Sequence, residues 1–288
     1  VNRLRSYAFI APTVSVFALV AFWPILLASW LSLRRIVLVF HEDHFVGVDN
    51  YRALFSDPRF FSALGHTLYF TVVSVTLELL IGLPIALLLR RTFRGRALVR
   101  AAILVPWALP SVVSARMWAW LLNPDYGLVT RLLPGTDHDF LGMPGSAMIA
   151  AIVADVWRST PFVTILLLAG LAAIPDEIYR AARVDGARPW RIFVSITLPL
   201  LRPAIIVTTL FRSLDALRVF DTIFVLTGGG PANTTETLSI YAYKTMMHSG
   251  DFGYGSTLAV ATFTVVGALA AFYLTTIGRS AVVGEERA

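Results

Sequence analysis

Four charges stand at three-residue intervals in an otherwise apolar part of the chain: Arg212, Asp215, Arg218 and Asp221. Residues three apart meet on a helix, so each guanidinium has a carboxylate within reach. An unpaired charge in hydrocarbon costs several kcal/mol, so this spiral must face protein or water. It serves either as a self-neutralising ladder that fixes helix packing or as the wall of a pathway. A second cluster, Asp155, Trp157 and Arg158, precedes Ser159, Thr160, Pro161 and Phe162 in another apolar stretch. Carboxylate, guanidinium and hydroxyl groups exchange hydrogen bonds with a polyhydroxylated ligand, and an aromatic face covers the C–H patches of a sugar ring. The same Asp155–Arg158 pair equally suits a lock between two helices. Glu78 lies in a third apolar stretch, with no partner that spacing can name.

Other chemistry is poorly represented. Lys244 is the only lysine and follows Tyr243, so the chain lacks the Gly-x-x-x-x-Gly-Lys-Ser/Thr loop of a nucleotide-binding subunit. His41-Glu42-Asp43-His44 has one residue too few between its histidines for a zinc helix. Asn233-Thr234-Thr235 matches a glycosylation acceptor, a three-residue signal of little weight. There is no cysteine, which excludes disulfides and thiolate chemistry. Paired carboxylates among Asp155, Asp215 and Asp221 leave an intramembrane enzyme as the remaining catalytic alternative. We expect no catalytic residue, no metal ligand and no cofactor in this chain.

The elements that must hold these groups are membrane helices. Of 288 residues, 57% are hydrophobic and only 15% charged, too apolar for one soluble core. Six stretches reach the roughly 20 residues needed to cross hydrocarbon as helix: Ala8 to Leu33, Leu64 to Leu89, Leu98 to Leu122, Ala147 to Ile174, Ile205 to Leu226 and Thr257 to Ile277. Arg3 and Arg5 precede the first stretch without a small-residue cleavage pattern, which reads as an uncleaved anchor. Val1 to Ser6, Arg90 to Arg96, Pro175 to Pro203 and the tail after Gly278 together hold 13 Lys/Arg against 5 Asp/Glu, and the opposite loops hold 6 against 9. The positive-inside bias places both termini and the Pro175–Pro203 segment in the cytoplasm. The net charge of +6 is then a matter of anionic lipid, not of nucleic acid. Pro12, Pro24, Pro84, Pro106, Pro110 and Pro161 should kink their spans. Trp30, Trp118 and Trp120 fit an outer aromatic belt. Without repeats or flexible linkers, residues 1–288 read as a single transmembrane domain.

The polar segment of about 175–203 is the most structured of the loops. Its pattern predicts a short amphipathic helix, a turn at Gly186 and a second helix stopped by Pro199. Ala181, Ala182, Asp185, Gly186, Ala187, Phe193, Ile196, Leu198 and Pro199 fit a known pattern, and the segment resembles the EAA loop of binding-protein-dependent ABC importer permeases. Ala11-Pro12, Trp23-Pro24, the run from Gly47 to Tyr51 and the run from Leu226 to Pro231 are similar to the first-permease subunit of sugar importers. The Arg183–Ala187 core and the Leu210–Asp221 segment look most like trehalose- or maltose-type permeases of actinobacteria.

The resemblance implies an all-α integral membrane protein of the type I ABC importer permease fold, with six transmembrane helices and a cytoplasmic coupling helix, in a bacterial inner membrane. It implies a second permease subunit, two ATPase subunits that bind ATP and magnesium, and an extracytoplasmic solute-binding protein. The cargo would be a sugar such as trehalose or maltose, with sn-glycerol 3-phosphate as the alternative. Glu177, Arg180, Ala181, Ala182, Asp185, Gly186 and Ala187 would form the ATPase-coupling element, and Asp155, Trp157, Arg158, Arg212, Asp215, Arg218 and Asp221 the pathway. Arg180 departs from the family, whose motif begins with Glu. That contact is lost, reversed in sign or moved to Glu177.

Overall fold

The computed structural model describes residues 3–132 and 139–285, with side chains for residues 10–132 and 139–275. Val1, Asn2 and residues 286–288, which the charge count assigned to the cytoplasm, lie outside the described residues. The chain begins with α1 (Arg3–Ser32), which contains Pro12 and Pro24. Strands β1 (Arg34–Val37) and β2 (Glu42–Phe45) then pair antiparallel, with Arg34 opposite Phe45 and Val37 opposite Glu42. Next come α2 (Asp49–Phe55), α3 (Pro58–Arg90), α4 (Arg96–Ala108), α5 (Ser111–Leu121) and α6 (Leu128–Leu132). They are followed by α7 (Pro144–Ala172), α8 (Asp176–Val184), α9 (Pro189–Ile192) and α10 (Leu198–Ala216). The remaining helices are α11 (Asp221–Leu226), α12 (Leu238–Met247) and α13 (Phe252–Glu285).

Five helices among the described residues are long and apolar enough to cross a membrane, and α4 with α5 supplies a sixth span if the pair counts as one. The pair bends by 93° at Leu109-Pro110. Proline disfavours helix at the residue before it, and Leu109 is accordingly extended, with φ −75° and ψ 137°.

Two expected boundaries are corrected. Pro199 does not stop the second helix of the polar segment. Residues Phe193–Thr197 form a π-helical turn that runs from α9 into α10, and Pro199 follows it in α10, so the helix passes a residue without an N–H where its ladder is already widened. The crossing helix is therefore Pro189–Ala216, not a single helix from Ile205 to Leu226. It ends at Ala216, Phe220 leaves the helical region, and Asp221 starts α11 with its negative charge in the first turn.

The chain divides into two compact units, Val1–Ala63 with Leu238–Val265, and Leu64–Thr237 with Val266–Ala288. In the first, the hairpin charges pair off as Arg34–Asp43 and Arg35–Glu42, both at 2.7 Å. Asn50 donates to the carbonyls of Ser32 and Arg34 at 2.8 and 2.9 Å. The Gly47-to-Tyr51 run thus joins the end of α1 to α2. Asp57 accepts hydrogen bonds from Tyr241 at 2.6 Å and Tyr254 at 2.7 Å. Partial burial raises the pKa of its carboxyl, but those two hydroxyls and the amides of Arg59 and Phe60 outweigh burial and hold it below the usual range.

The second unit is built on α3, α7 and α10. Ala86, Val163, Leu167, Leu171, Ile174 and Leu201 form its apolar core. Small residues let the backbones approach. A Cβ at Gly82 would lie 2.9 Å from Val163 Cγ1, and one at Gly170 would lie 2.4 Å from the Cβ of Ala204. These contacts set the rotation of the three helices, and with it the direction of every polar group on them. Gly170→Val should force α7 from α10 and destabilise the protein by about 1–3 kcal/mol, whereas Gly145→Ala, where a Cβ meets nothing within 4 Å, should be tolerated. Thermal unfolding in detergent gives the comparison; equal melting temperatures for the two variants would contradict the close α7–α10 packing.

Candidate functional site

The polar groups of α3, α7 and α10 converge on Arg212. Its Nε donates to Glu78 Oε2 at 2.6 Å and one terminal nitrogen donates to Glu78 Oε1 at 2.7 Å, a two-pronged pairing between residues 134 positions apart. The same terminal nitrogen reaches Asp155 Oδ2 at 2.9 Å, and the other donates to Asp215 Oδ2 at 2.6 Å. The planar guanidinium fork is suited to this, because it presents five donors in a fixed plane. Arg212 is only 2% exposed and Glu78 0%, so neither can exchange its partner for water. Three spans are therefore tied through one side chain.

Around this hub the remaining charges are held loosely. Arg158 lies 3.9 Å from Asp155 Oδ1, and its Nε is buried with no partner among the described residues. Arg218 is 3.7 Å from Asp215 Oδ1, and their side chains are 70% and 50% exposed. Asp221 accepts a hydrogen bond from the hydroxyl of Ser111 at the start of α5. The evenly spaced ladder is thus divided: Arg212 is committed to the buried hub, Asp215 bridges hub and opening, and Arg218 and Asp221 lie beyond the end of α10. The Asp155–Arg158 pair does not lock two helices, since both residues are on α7 and Asp155 makes its closer contact with Arg212.

Two cavities of about 280 Å³ each adjoin this arrangement and share Arg158, Asp215 and Arg218 as a common wall. The first is completed by Ser159 and by Trp107, Phe162 and Phe211. Trp107 and Phe162 stack at 5.9 Å with an interplanar angle of 21°. Ser111, Phe220, Asp221 and Thr222 line the second. Trp157, the aromatic that the sequence singled out, lines neither. It packs edge-on against Trp118 at 6.0 Å, and Trp118 is half-buried. Trp30 and Trp120 are exposed.

The site aromatics that residue spacing overlooked are Trp107 and Phe211. Trp107 stands beside Pro106 and just before the Leu109-Pro110 break, the one local signal that pointed to it. In chemical terms, each cavity offers donors and acceptors on a charged wall, and the first adds an aromatic floor. No group of three or more His, Asp or Glu among the described residues is placed to hold a metal ion.

The polar segment carries the other candidate site. The amide of Ala187 donates to the Ala182 carbonyl at 2.9 Å and that of Gly186 to the Arg183 carbonyl at 3.1 Å. This paired closure ends α8 with a left-handed residue, and Gly186 has φ 76°. A Cβ there would meet nothing within 4 Å, so glycine is required for its backbone angle and not for space. Glu177, Arg180, Ala181 and Asp185 are exposed, Ala187 is half-buried and Ala182 is buried.

A helical membrane chain of this architecture, with a helix–glycine–helix segment and an ion-paired hub, has the permease fold of type I ABC importers. The chain belongs to the family described as binding-protein-dependent transport system inner membrane component, which it matches over residues 78–281. It is a multi-pass membrane component of a transport system and not an enzyme. Among its relatives, the trehalose/maltose transport system permease protein MalF of Thermococcus litoralis is 43% identical, over 93% of this chain and 92% of the relative. The trehalose transport system permease protein SugA of Mycobacterium tuberculosis is 39% identical, over 99% of this chain and 92% of the relative. A crystal structure of a bacterial ABC transporter that imports alginate superposes with a TM-score of 0.82 at 23% identity, covering 96% of each chain, and establishes the likeness of fold.

Arg212→Ala would leave Glu78 buried without its ion-pair partner and Asp155 with only the more distant Arg158, and should cost about 3–5 kcal/mol or prevent folding. Asp215→Ala removes a half-exposed partner and should cost no more than about 1 kcal/mol while lowering transport. Comparing the stability of the two purified variants is the check, and equal losses would show that Arg212 is not the tie between the spans.

Proposed function

We propose that this chain is one permease subunit of an ATP-driven importer for a neutral disaccharide of the trehalose or maltose type. It forms half of the pathway with a second permease. Two ATPase subunits, which bind ATP and magnesium, act on its cytoplasmic face, and an extracytoplasmic solute-binding protein delivers the sugar. Both termini are cytoplasmic, and residues 1–288 act as one transmembrane domain.

The observation that carries the cargo assignment is charge balance. The first cavity is lined by Arg158, Arg212 and Arg218 with Asp215, but each of these arginines has a carboxylate neighbour: Asp155 for Arg158, Asp215 for Arg218, and Glu78, Asp155 and Asp215 for Arg212. An anionic cargo such as a phosphate ester would favour a cation without such a neighbour. Paired charges whose outer members are loosely held suit a neutral polyol, whose hydroxyls both donate and accept. The stack of Trp107 on Phe162 gives a ring face for a pyranose. Two adjoining cavities with a shared wall suit a cargo of two rings. Import of labelled trehalose and maltose by the reconstituted importer is expected; uptake of glycerol 3-phosphate in preference to both would overturn the neutral-sugar reading.

Coupling to the ATPase belongs to α8, Gly186 and α9. Glu177, Arg180, Ala181 and Asp185 present the contact face, and Gly186 sets the turn that lets α8 protrude. Closure of the ATPase pair would shift this element and switch the pathway between inward- and outward-open states as a rigid-body change. Gly186→Val places a β-branched residue at positive φ, a strained conformation. It should lower trehalose moved per ATP while membrane insertion stays intact; uptake equal to the parent would remove Gly186 from the coupling element.

Arg180 requires a different contact from the family's Glu, because a guanidinium cannot pair with a basic residue. Its expected partner is an acidic or carbonyl-rich patch of the ATPase, with Glu177 or Asp185 meeting any basic one. Arg180→Glu should therefore reduce sugar-stimulated ATP hydrolysis. A structure of the assembled importer with no ATPase atom in hydrogen-bond reach of Arg180 would refute this assignment.

A further inference from the structure

Arg90, the last residue of α3, is the meeting point of three contacts from elements distant in sequence. One terminal nitrogen donates to the Asp176 carboxylate at 2.8 Å and to the Ile174 carbonyl at 3.3 Å. Its guanidinium lies over the ring of Tyr179, 4.1 Å from the centroid. Asp176 and Tyr179 belong to α8, while Ile174 follows the end of α7. The side chain of Arg90 is 21% exposed and that of Asp176 is 78% exposed. A solvated ion pair alone would be a weak tie, but here the same guanidinium is also held by a carbonyl and an aromatic face.

Tyr179 extends this contact inward. Its ring packs on the core formed by Ala86 of α3, Leu167 and Leu171 of α7 and Leu201 of α10. Its hydroxyl is buried without a partner among the described residues, so the ring is what the position uses. Glu78, which grips Arg212, lies on the same helix as Arg90, about 18 Å away at the helical rise of 1.5 Å per residue. The α3–α7–α10 core is thus bound at one level by Arg212 and joined to α8 at another by Arg90 and Tyr179.

We infer that Arg90, Asp176 and Tyr179 form a clasp that makes α8 move as one body with the three helices that carry the Arg212 hub, so that displacement of α8 reaches the cavities instead of bending the α7–α8 junction. Arg90 is a positioning residue in this scheme and touches neither cargo nor ATPase. The inference rests on the reading of α8 as the coupling element. An uncoupled joint would let α8 follow the ATPase while the cavity walls stay in place, so ATP would be hydrolysed without transport.

The test uses the assembled importer, with its partner permease, ATPases and binding protein, in proteoliposomes with labelled trehalose. Trehalose moved per ATP hydrolysed, basal ATP hydrolysis and thermal unfolding are measured together. Arg90→Ala should lower trehalose per ATP by about fivefold or more, with basal hydrolysis and melting temperature near the parent. Tyr179→Phe keeps the ring and should retain coupling, whereas Tyr179→Leu should lose it. If Arg90→Ala does not assemble, the double variant Asp176→Asn with Tyr179→Leu decides in its place. Parental trehalose per ATP in the deciding variant overturns the clasp, and so does equal coupling in Tyr179→Phe and Tyr179→Leu. Gly186→Val separates the two levels. Normal transport there removes the coupling role of α8 itself, while uncoupling by Gly186→Val alone leaves that role and removes only the clasp.

Discussion

The fork of Arg212 onto Glu78 is the interaction on which the second unit depends. Burying a guanidinium and carboxylates away from water is costly, and the cost is recovered only when geometry is good and the remaining donors are satisfied. Arg212 meets both conditions, with hydrogen bonds of 2.6 to 2.9 Å to Glu78, Asp155 and Asp215. Each carboxylate comes from a different place: α3, α7, and the last turn of α10 itself. Moving any one of these helices alone would strand a charge. The arrangement favours three helices that stay together, and it gives a rigid wall beside the two cavities.

Arg158 and Arg218 are held less closely around the hub, which leaves hydrogen-bonding capacity on the cavity walls. Their nearest carboxylates stand at 3.9 and 3.7 Å. The ladder is therefore divided: Arg212 is buried in the hub, Arg218 is exposed beside Asp215, and Asp221 accepts a hydrogen bond from Ser111. Asp215 takes part in both, since it donates no hydrogen but offers one oxygen to Arg212 and the other towards Arg218.

In the polar segment, local chain chemistry governs. Gly186 closes α8 by backbone hydrogen bonds and a positive φ, and the π-helical turn at Phe193–Thr197 carries the chain past Pro199 into α10. Wide helical turns of this kind often occur at functional sites. Here one lies between the polar segment and the helix that bears Arg212, so α8 is linked to the hub through α10 by covalent continuity and through Arg90 by side-chain contact.

Much of this was legible in the sequence because it depends on residues close together in the chain. Twenty apolar residues make a span whatever surrounds them, glycine between two short amphipathic segments makes a turn, and charges in an apolar stretch must find partners. The family pattern in the Ala181–Pro199 segment was equally local. What the sequence left open depends on helix rotation. Glu78 had no nameable partner because Arg212 is 134 residues away, and only the close approaches at Gly82 and Gly170 turn the two side chains towards each other. Spacing points to Trp157 because it stands beside Asp155, but the face of α7 that carries Trp157 meets Trp118, and Trp107 lines the cavity instead. The end of α10 at Ala216 and the passage through Pro199 were likewise not legible, since hydropathy runs on past a break and a π turn lets the helix continue past a residue without an N–H. The sequence by itself determined that charges had to be paired inside a membrane protein; the tertiary structure alone determined which pairs are buried, because pairing across spans is a matter of which helix faces meet.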